Sequence, residues 1–336
     1  MNYIGSKYSL LDFLHETISN KTGYKDGEKY IFADLFAGTG TVGAFYRELG
    51  CEVISNDIQY YSYIINKHLI ESDETIDKSY IDYLNSLEGV EGFVYNNYCI
   101  GSGSNRMYFT DENGKKCDAI RQEIESLYKS EKINEKTYYY YLGSLINSID
   151  KVANTASVYG AFLKKIKAAA SKPLLLEPLK FNEGPVGKVY NEDINKLVKN
   201  ISGDVLYLDP PYNARQYCSN YHVLETIARY DNPVLTGVTG MRQAEEQKSE
   251  FCSKRTVEKA FDSLIKNAKF KYIFLSYNNE GLMSLQTIKS IMSKYGKYSY
   301  EIKEYRRFKA DKDENRNITA NATVEYLHCL VKDDVK

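Results

Sequence analysis

The chain has no tryptophan among its 336 residues, no Cys-x-x-Cys pair, no long apolar run and no excess of charge of either sign. Each absence removes a class of protein. The six cysteines (Cys51, Cys99, Cys117, Cys218, Cys252 and Cys329) are scattered and the four histidines do not cluster with them. Neither a zinc site nor a disulfide framework is expected, and no metal. No stretch approaches the length needed to span a bilayer, and the N-terminal residues lack a basic region followed by an apolar segment. A cytoplasmic, reduced setting and no membrane association are therefore expected. A net charge of −1 excludes a uniformly basic coat, so any nucleic-acid-binding surface has to be local. No internal repeat is present. The 32 tyrosines accompany an abundance of Lys, Asn and Ile and are read as the bias of an AT-rich gene. That reading includes the run Tyr138 to Tyr141.

What the chain does have is Asp209-Pro210-Pro211-Tyr212 directly after the apolar run Val205-Leu206-Tyr207-Leu208. A buried strand ending in an acidic, aromatic-tipped loop is where open α/β sheets hold ligands. The prolines fix the backbone and remove two N–H donors while keeping their carbonyls. An amino group between the Asp209 carboxylate and the Pro210 carbonyl would meet two acceptors, with the flat face of Tyr212 beside it. Taken alone, the same tetrapeptide is equally a strand followed by an ordinary tight turn.

A second strand-to-loop junction stands upstream. Tyr30 to Phe36 is apolar and runs into Gly38-Thr39-Gly40, after which Val42, Phe45 and Leu49 recur at helical spacing. Gly38, Gly40 and Gly43 satisfy G-x-G-x-x-G, and the next apolar run ends in Asn56-Asp57, where an acid could hold ribose hydroxyls. By itself this pattern reads as a dinucleotide site.

Several motifs taken in order resemble the D12 class of adenine-N6 DNA methyltransferases. Met1 to Lys7 is similar to the N-terminal motif of that family, Asp34 to Gly40 to its F-x-G-x-G cofactor loop, and Asn56-Asp57-Ile58 to its acidic ribose-binding motif. Tyr190 to Ile194 resembles its adenine-contacting acidic segment, and Asp209 to Tyr212 its D-P-P-Y motif. The resemblance implies S-adenosylmethionine as cofactor. Asp34, Phe36, Gly38 and Gly40 would line it, Asp57 and Ile58 would hold its ribose, Asp193 and Ile194 its adenine, and Tyr3 and Lys7 its methionine end. It further implies Asp209, Pro210, Pro211 and Tyr212 as the catalytic group, acting on an adenine flipped out of double-stranded DNA. A cognate restriction endonuclease acting separately would be a natural companion.

The expected fold is α/β: a Rossmann-like class I methyltransferase sheet, mainly parallel, closed by a C-terminal antiparallel hairpin. Candidate strands are Tyr30 to Phe36, Glu52 to Ser55, Lys188 to Val189, Val205 to Leu208, Tyr272 to Ser276, Tyr300 to Phe308 and Val324 to Val331. Helical faces are read at Val257, Ala260, Phe261, Leu264 and Ala268, and again from Leu282 to Met292. Residues 1–70 and 186–336 would form the catalytic domain. The interval 71–185, with helices around Ile120 to Tyr128 and Tyr138 to Ile149, would be an inserted, mostly helical target-recognition lobe. Its later part carries Lys164, Lys165, Lys167, Lys172 and Lys180 against Glu177 alone. Lys164, Lys165 and Lys167 are taken as DNA-binding, with Arg215 and Arg242 from the stretch Asn213 to Arg255, which shows no clear period.

Other readings stay open at this level. A cytosine-N4 or RNA methyltransferase would use the same amino-group chemistry, although Ser is the commoner first residue of the motif in the cytosine-N4 group. Cytosine-C5 chemistry needs a nucleophilic Cys, usually after Pro, and no Pro-Cys pair exists. An NAD-dependent oxidoreductase would keep the glycine loop but have no use for Asp209 to Tyr212. A non-catalytic DNA-binding protein would have no need of it either.

Overall fold

The computed structural model describes residues 5, 7–73, 75–306 and 322–333. Nine strands are present among them: β1 (Ile31–Asp34), β2 (Glu52–Asn56), β3 (Lys188–Tyr190), β4 (Ser202–Leu208), β5 (Leu235–Thr236), β6 (Met241–Arg242), β7 (Lys269–Asn278), β8 (Gly296–Arg306) and β9 (Ala322–Lys332). Seven of them form one sheet in the order β3-β2-β1-β4-β7-β9-β8, while β5 and β6 make a separate hairpin. From β3 to β7 every pairing is parallel; β9 then runs antiparallel between β7 and β8. This is the class I methyltransferase arrangement expected from the sequence. Every candidate strand is present. The sixth begins earlier than expected, at Gly296, and Phe308 lies outside the described residues.

Period-two alternation divides the parallel strands between two cores. Ala33, Leu206, Leu208, Ile273 and Leu275 pack with helices Val257–Asn267 and Leu285–Met292 on one face. Phe32, Val53, Val205, Tyr207 and Phe274 pack with helices Leu11–Thr22 and Thr41–Glu48 on the other. Each fully buried Leu, Val or Phe contributes roughly 1.5–3 kcal/mol, so the sheet that carries the two motifs is held from both sides. Start signals are local: the Ser284 hydroxyl accepts the Thr287 N–H at the head of Leu285–Met292.

A third apolar cluster lies beside the sheet and is built largely from helices Asp111–Lys129 and Glu135–Lys151. It does not stop at residues 71 and 185. Tyr61 and Ile64 enter it from helix Tyr60–Glu71, and Tyr221, Val223, Leu224, Ile227 and Ala228 enter it from beyond the second motif. Tyr140 and Tyr141 are fully buried there, so these tyrosines are packing residues. Both ends of the interval 71–185 are tied to the sheet by buried Arg47, whose guanidinium donates to the carbonyls of Leu69 (2.6 Å), Ser72 (2.6 Å) and Pro185 (2.9 Å).

The stretch from Asn213 to Arg255 corrects the expectation of an aperiodic loop. It contains helix His222–Arg229 and the β5–β6 hairpin. The helix escaped notice because it is short and buries Glu225 and Thr226 along with its apolar residues.

Candidate active site

In chain order the sheet grows outward from β1 to β2 and β3, then returns to β4 on the other side of β1. That reversal leaves a crevice at the carboxyl ends of β1 and β4. Asp34 ends β1 and is paired in register with Tyr207, two residues before Asp209. A cleft opens there. It is lined by Lys7, Asp34, Phe36, Gly38, Asp57, Ile58, Asp193, Ile194, Asp209 and Pro211 from the motifs read in the sequence. Gly40, Pro210 and Tyr212 are not among the lining residues, and Tyr3 lies outside the described residues.

One half of the cleft is organised by backbone. Gly38 donates its N–H to Asp57 Oδ2 (2.8 Å), and the N–H of Gln59 is donated to Asp57 Oδ1 (2.8 Å). The Gly38 carbonyl accepts from Ser62 Oγ and from Asn66 Nδ2 (3.1 Å). Gly40 has φ +73°, and a Cβ there would stand 2.7 Å from Asn66 Oδ1, so the turn requires glycine on two grounds. Asp34 Oδ2 accepts the Gly43 N–H (3.2 Å), and its buried Oδ1 has no hydrogen-bond partner among the described residues. Burial first, and then the charge of Asp209, push the Asp34 carboxyl up to about 8. Burial likewise lifts Asp57 to about 6, against the pull of its two N–H donors. Asn191 Nδ2 donates to the Asp57 carbonyl (2.7 Å), which seats the Asp193 segment beside the loop; Asp193 Oδ1 caps the short helix that follows.

The other half is organised by side chains. Lys7 Nζ lies 2.9 Å from Asp209 Oδ2 and 3.6 Å from Glu325 Oε1, with its ammonium 5.0 Å from the centre of the Tyr212 ring. Tyr212 Oη is 2.7 Å from Asp209 Oδ1 and 2.6 Å from Glu325 Oε1, and its ring meets Tyr277 edge-on at 5.0 Å. Lys7, Asp209, Tyr212 and Glu325 thus close a ring. Sequence reasoning missed Glu325. Its signal was parity: it shares a face of β9 with Leu327 and Cys329, both buried, and an acid at such a position is buried with them.

Sequence reasoning also missed the strap that roofs the cleft, which brings Gln216, Tyr217, Gln247, Ser249 and Phe251 into the lining. Gln216 and Ser249 exchange a pair of hydrogen bonds (2.9 and 3.2 Å), and Phe251 packs edge-on against Phe36 at 5.0 Å.

The five expected DNA-binding residues divide. Lys164 and Lys165 are exposed. Arg215 is exposed as well and lies against Gly160, its Nη2 3.4 Å from where a Cβ would stand, so the lysine segment and the loop after the second motif meet. The Lys167 ammonium donates to the Thr155 carbonyl (2.7 Å). Arg242 is buried in a two-point pair with Asp231 (2.7 and 3.0 Å), and its guanidinium is committed to holding the β5–β6 hairpin. The phosphate-binding reading passes to the exposed residues.

The D12 class N6 adenine-specific DNA methyltransferase family matches residues 3–291, a span that includes the glycine loop, Asp57, Asp193 and Asp209 to Tyr212. The chain belongs to this family. Among curated proteins it is 53% identical to the type II methyltransferase M.NlaIII of Neisseria lactamica, with 99% of each chain covered. It is 38% identical to the type II methyltransferase M.CviAII of Paramecium bursaria Chlorella virus 1, covering 97% of each. It is 39% identical to the type II methyltransferase M.FokI of Planomicrobium okeanokoites, where 99% of this chain spans 53% of the longer protein. The enzyme is therefore an adenine-N6 DNA methyltransferase, its substrate DNA and its methyl donor of the S-adenosylmethionine type. Among the described residues no helix is long and apolar enough to cross a membrane.

Proposed function

We propose that the enzyme is the modification methylase of a type II restriction system, acting in the cytoplasm on an adenine flipped out of double-stranded DNA, with S-adenosylmethionine as cofactor. The observation that carries this reading is the meeting of Asp34, Asp57 and the Gly38–Gly40 turn with Asp209 in a single cleft. The donor set suits the cofactor. Asp57 offers lone pairs to two ribose hydroxyls, buried Asp34 Oδ1 needs a donor, and the glycine turn lets backbone approach closely. Asp193 and Ile194 border the place for its adenine, and Lys7 the place for its methionine end. When bound, S-adenosylmethionine supplies an activated methyl group on a sulfonium.

The chain's own task is then to position an adenine amino group and raise its electron density. That nitrogen is a poor nucleophile because its lone pair is delocalised into the ring. Asp209 accepts one N–H and the Pro210 carbonyl the other, which localises the lone pair and stabilises the positive charge that develops on nitrogen. No covalent enzyme intermediate is needed. Pro211 fixes the loop, and Tyr212 offers its ring to the flipped base; stacking of this kind is worth about 1–3 kcal/mol per base. Lys164, Lys165 and Arg215 neutralise phosphates flanking the target, with residues 71–185 supplying most of the recognition surface.

Methylation-aware sequencing of DNA from cells expressing the chain tests this reading. N6-methyladenine confined to one short sequence context is expected. Modified cytosine, or no modified DNA base, would contradict it.

A further inference from the structure

Glu325 belongs to none of the motifs, yet it touches Tyr212 of the catalytic group and Lys7 beside it. It is 1% exposed, and an acid buried directly behind a reacting group requires a reason. Its position poses a proton count. Asp209 Oδ1, Tyr212 Oη and Glu325 Oε1 stand in a row with separations of 2.7 and 2.6 Å. Two approaches this short need two protons between three oxygens, and the phenol supplies one. With both carboxylates ionised, one approach would set bare lone pairs against each other. Lys7 gives its closer approach to Asp209, 2.9 Å against 3.6 Å to Glu325, so the ionised carboxylate of the pair is Asp209.

The second proton therefore sits on Glu325. A second observation agrees: Glu325 Oε2 is buried with no hydrogen-bond partner among the described residues. An unpaired carbonyl-type oxygen of a neutral acid is tolerated far better than an unpaired carboxylate oxygen. Burial, then the charge of Asp209, raises the Glu325 carboxyl above its ordinary range, against the pull of Lys7 and Tyr212. Among the described residues, the other charged or titratable neighbours are Tyr207, hydrogen-bonded to Ser276, and Lys303, in register across β8.

We infer that Glu325 is a positioning residue that works as the neutral acid, donating to Tyr212 Oη so that the phenol in turn donates to Asp209 and fixes its carboxylate toward the target amine. The inference rests on the reading of Asp209 given above. Loss of the Glu325 proton leaves two carboxylates competing for one phenol proton and one ammonium, and Asp209 loses its orientation. The proton-holding role, unlike a purely structural one, is reproduced by a neutral amide.

Glu325→Gln and Glu325→Ala, each also in a Tyr212→Phe background, separate the outcomes when kcat is measured against pH. In the unaltered enzyme kcat is expected to fall toward alkaline pH; Glu325→Gln is expected to keep kcat within about threefold at neutral pH and to lose that fall. Glu325→Ala is expected to lose on the order of tenfold in kcat, the effect of one missing buried hydrogen bond, with cofactor affinity unchanged. In the Tyr212→Phe background the same truncation should cost little more, because both changes break one hydrogen-bonded chain. Equal losses in the Gln and Ala variants, or a Gln variant matching the unaltered enzyme at every pH, would overturn the inference. Asp209→Asn run alongside distinguishes the two proposals: if it retains turnover, the reading of Asp209 fails, whereas an inactive Asp209→Asn with unresponsive Glu325 variants removes only the role of Glu325.

Discussion

The two halves of the cleft solve different problems with different materials. Around the glycine loop, charge is placed by backbone: Asp57 is held by two N–H groups and the Gly38 carbonyl by Ser62 and Asn66. Around Asp209, charge is placed by side chains: Tyr212 of the same loop, with Lys7 and Glu325 from near the two ends of the chain. The difference teaches what each half can tolerate. A site made of backbone groups depends on glycine and on strand register, and it binds a fixed shape. A ring of side chains can hold or release a proton, and a single substitution disturbs every member.

The largest break in this comparison is Asp209→Ala, which removes the acceptor proposed for the target amine. Methyl transfer from tritiated cofactor should fall by roughly a hundred- to a thousandfold or more, the scale on which positioned charge-stabilising groups act. A variant with near-normal turnover would mean that Asp209 is not at the reacting nitrogen.

In the opposite half, Asp57→Ala removes the charged acceptor proposed for two ribose hydroxyls. Such bonds are worth about 1.5–3 kcal/mol, so cofactor affinity should weaken by roughly ten- to a hundredfold while DNA affinity holds. An unchanged dissociation constant in a folded variant would misplace the ribose site.

A smaller effect follows from burial. Asp34 and Asp57 are lifted to about 8 and about 6, in both cases chiefly by burial. Near neutrality Asp34 in the free cleft is expected to hold a proton, and below about pH 6 Asp57 another, which a cationic cofactor would displace. Affinity should tighten as pH rises from below 6 to above 8, by up to about tenfold per pH unit for each proton released. Calorimetry in buffers of different ionisation enthalpy would show that release, and pH-independent binding would contradict it.

The smallest expected effect lies on the surface. Lys164 and Lys165 replaced together by Ala should leave the methylated sequence unaltered and lower the salt dependence of DNA binding by a slope of about 0.9 for each phosphate that is no longer neutralised. Titrations at several salt concentrations decide it, since an unaltered slope makes these lysines a solvated face.

The backbone-built half was almost fully legible in the sequence. Its determinants are local: an apolar strand, a glycine turn and an acid at the end of the next strand, each readable within a short stretch of chain. Asp209 to Tyr212 was legible for the same reason. Glu325 was not, because its importance arises from strand β9 inserting between β7 and β8 and carrying a residue far along the chain to Lys7 and Tyr212. Gln216 and Phe251 were missed likewise, since the strap that holds them is pinned by long-range pairs such as Gln247 to Glu225 and Ile58. Arg242 was misread because a lone Arg beside glycines gives no hint that Asp231, eleven residues earlier, buries it. The lobe boundary was drawn from motif positions, whereas its apolar cluster recruits Tyr61 from before it and Ile227 from after it.

The separation of the two halves is the central claim, and calorimetric titration of S-adenosylmethionine into the Asp209→Asn variant tests it most directly. That substitution keeps the shape of the side chain and removes the charge that Asp209 carries in the target half and exerts on Asp34 across the cleft. The account predicts a dissociation constant within about threefold of the unaltered enzyme's, with turnover abolished. A weakening as large as that of Asp57→Ala would contradict it, because Asp209 would then belong to the cofactor site.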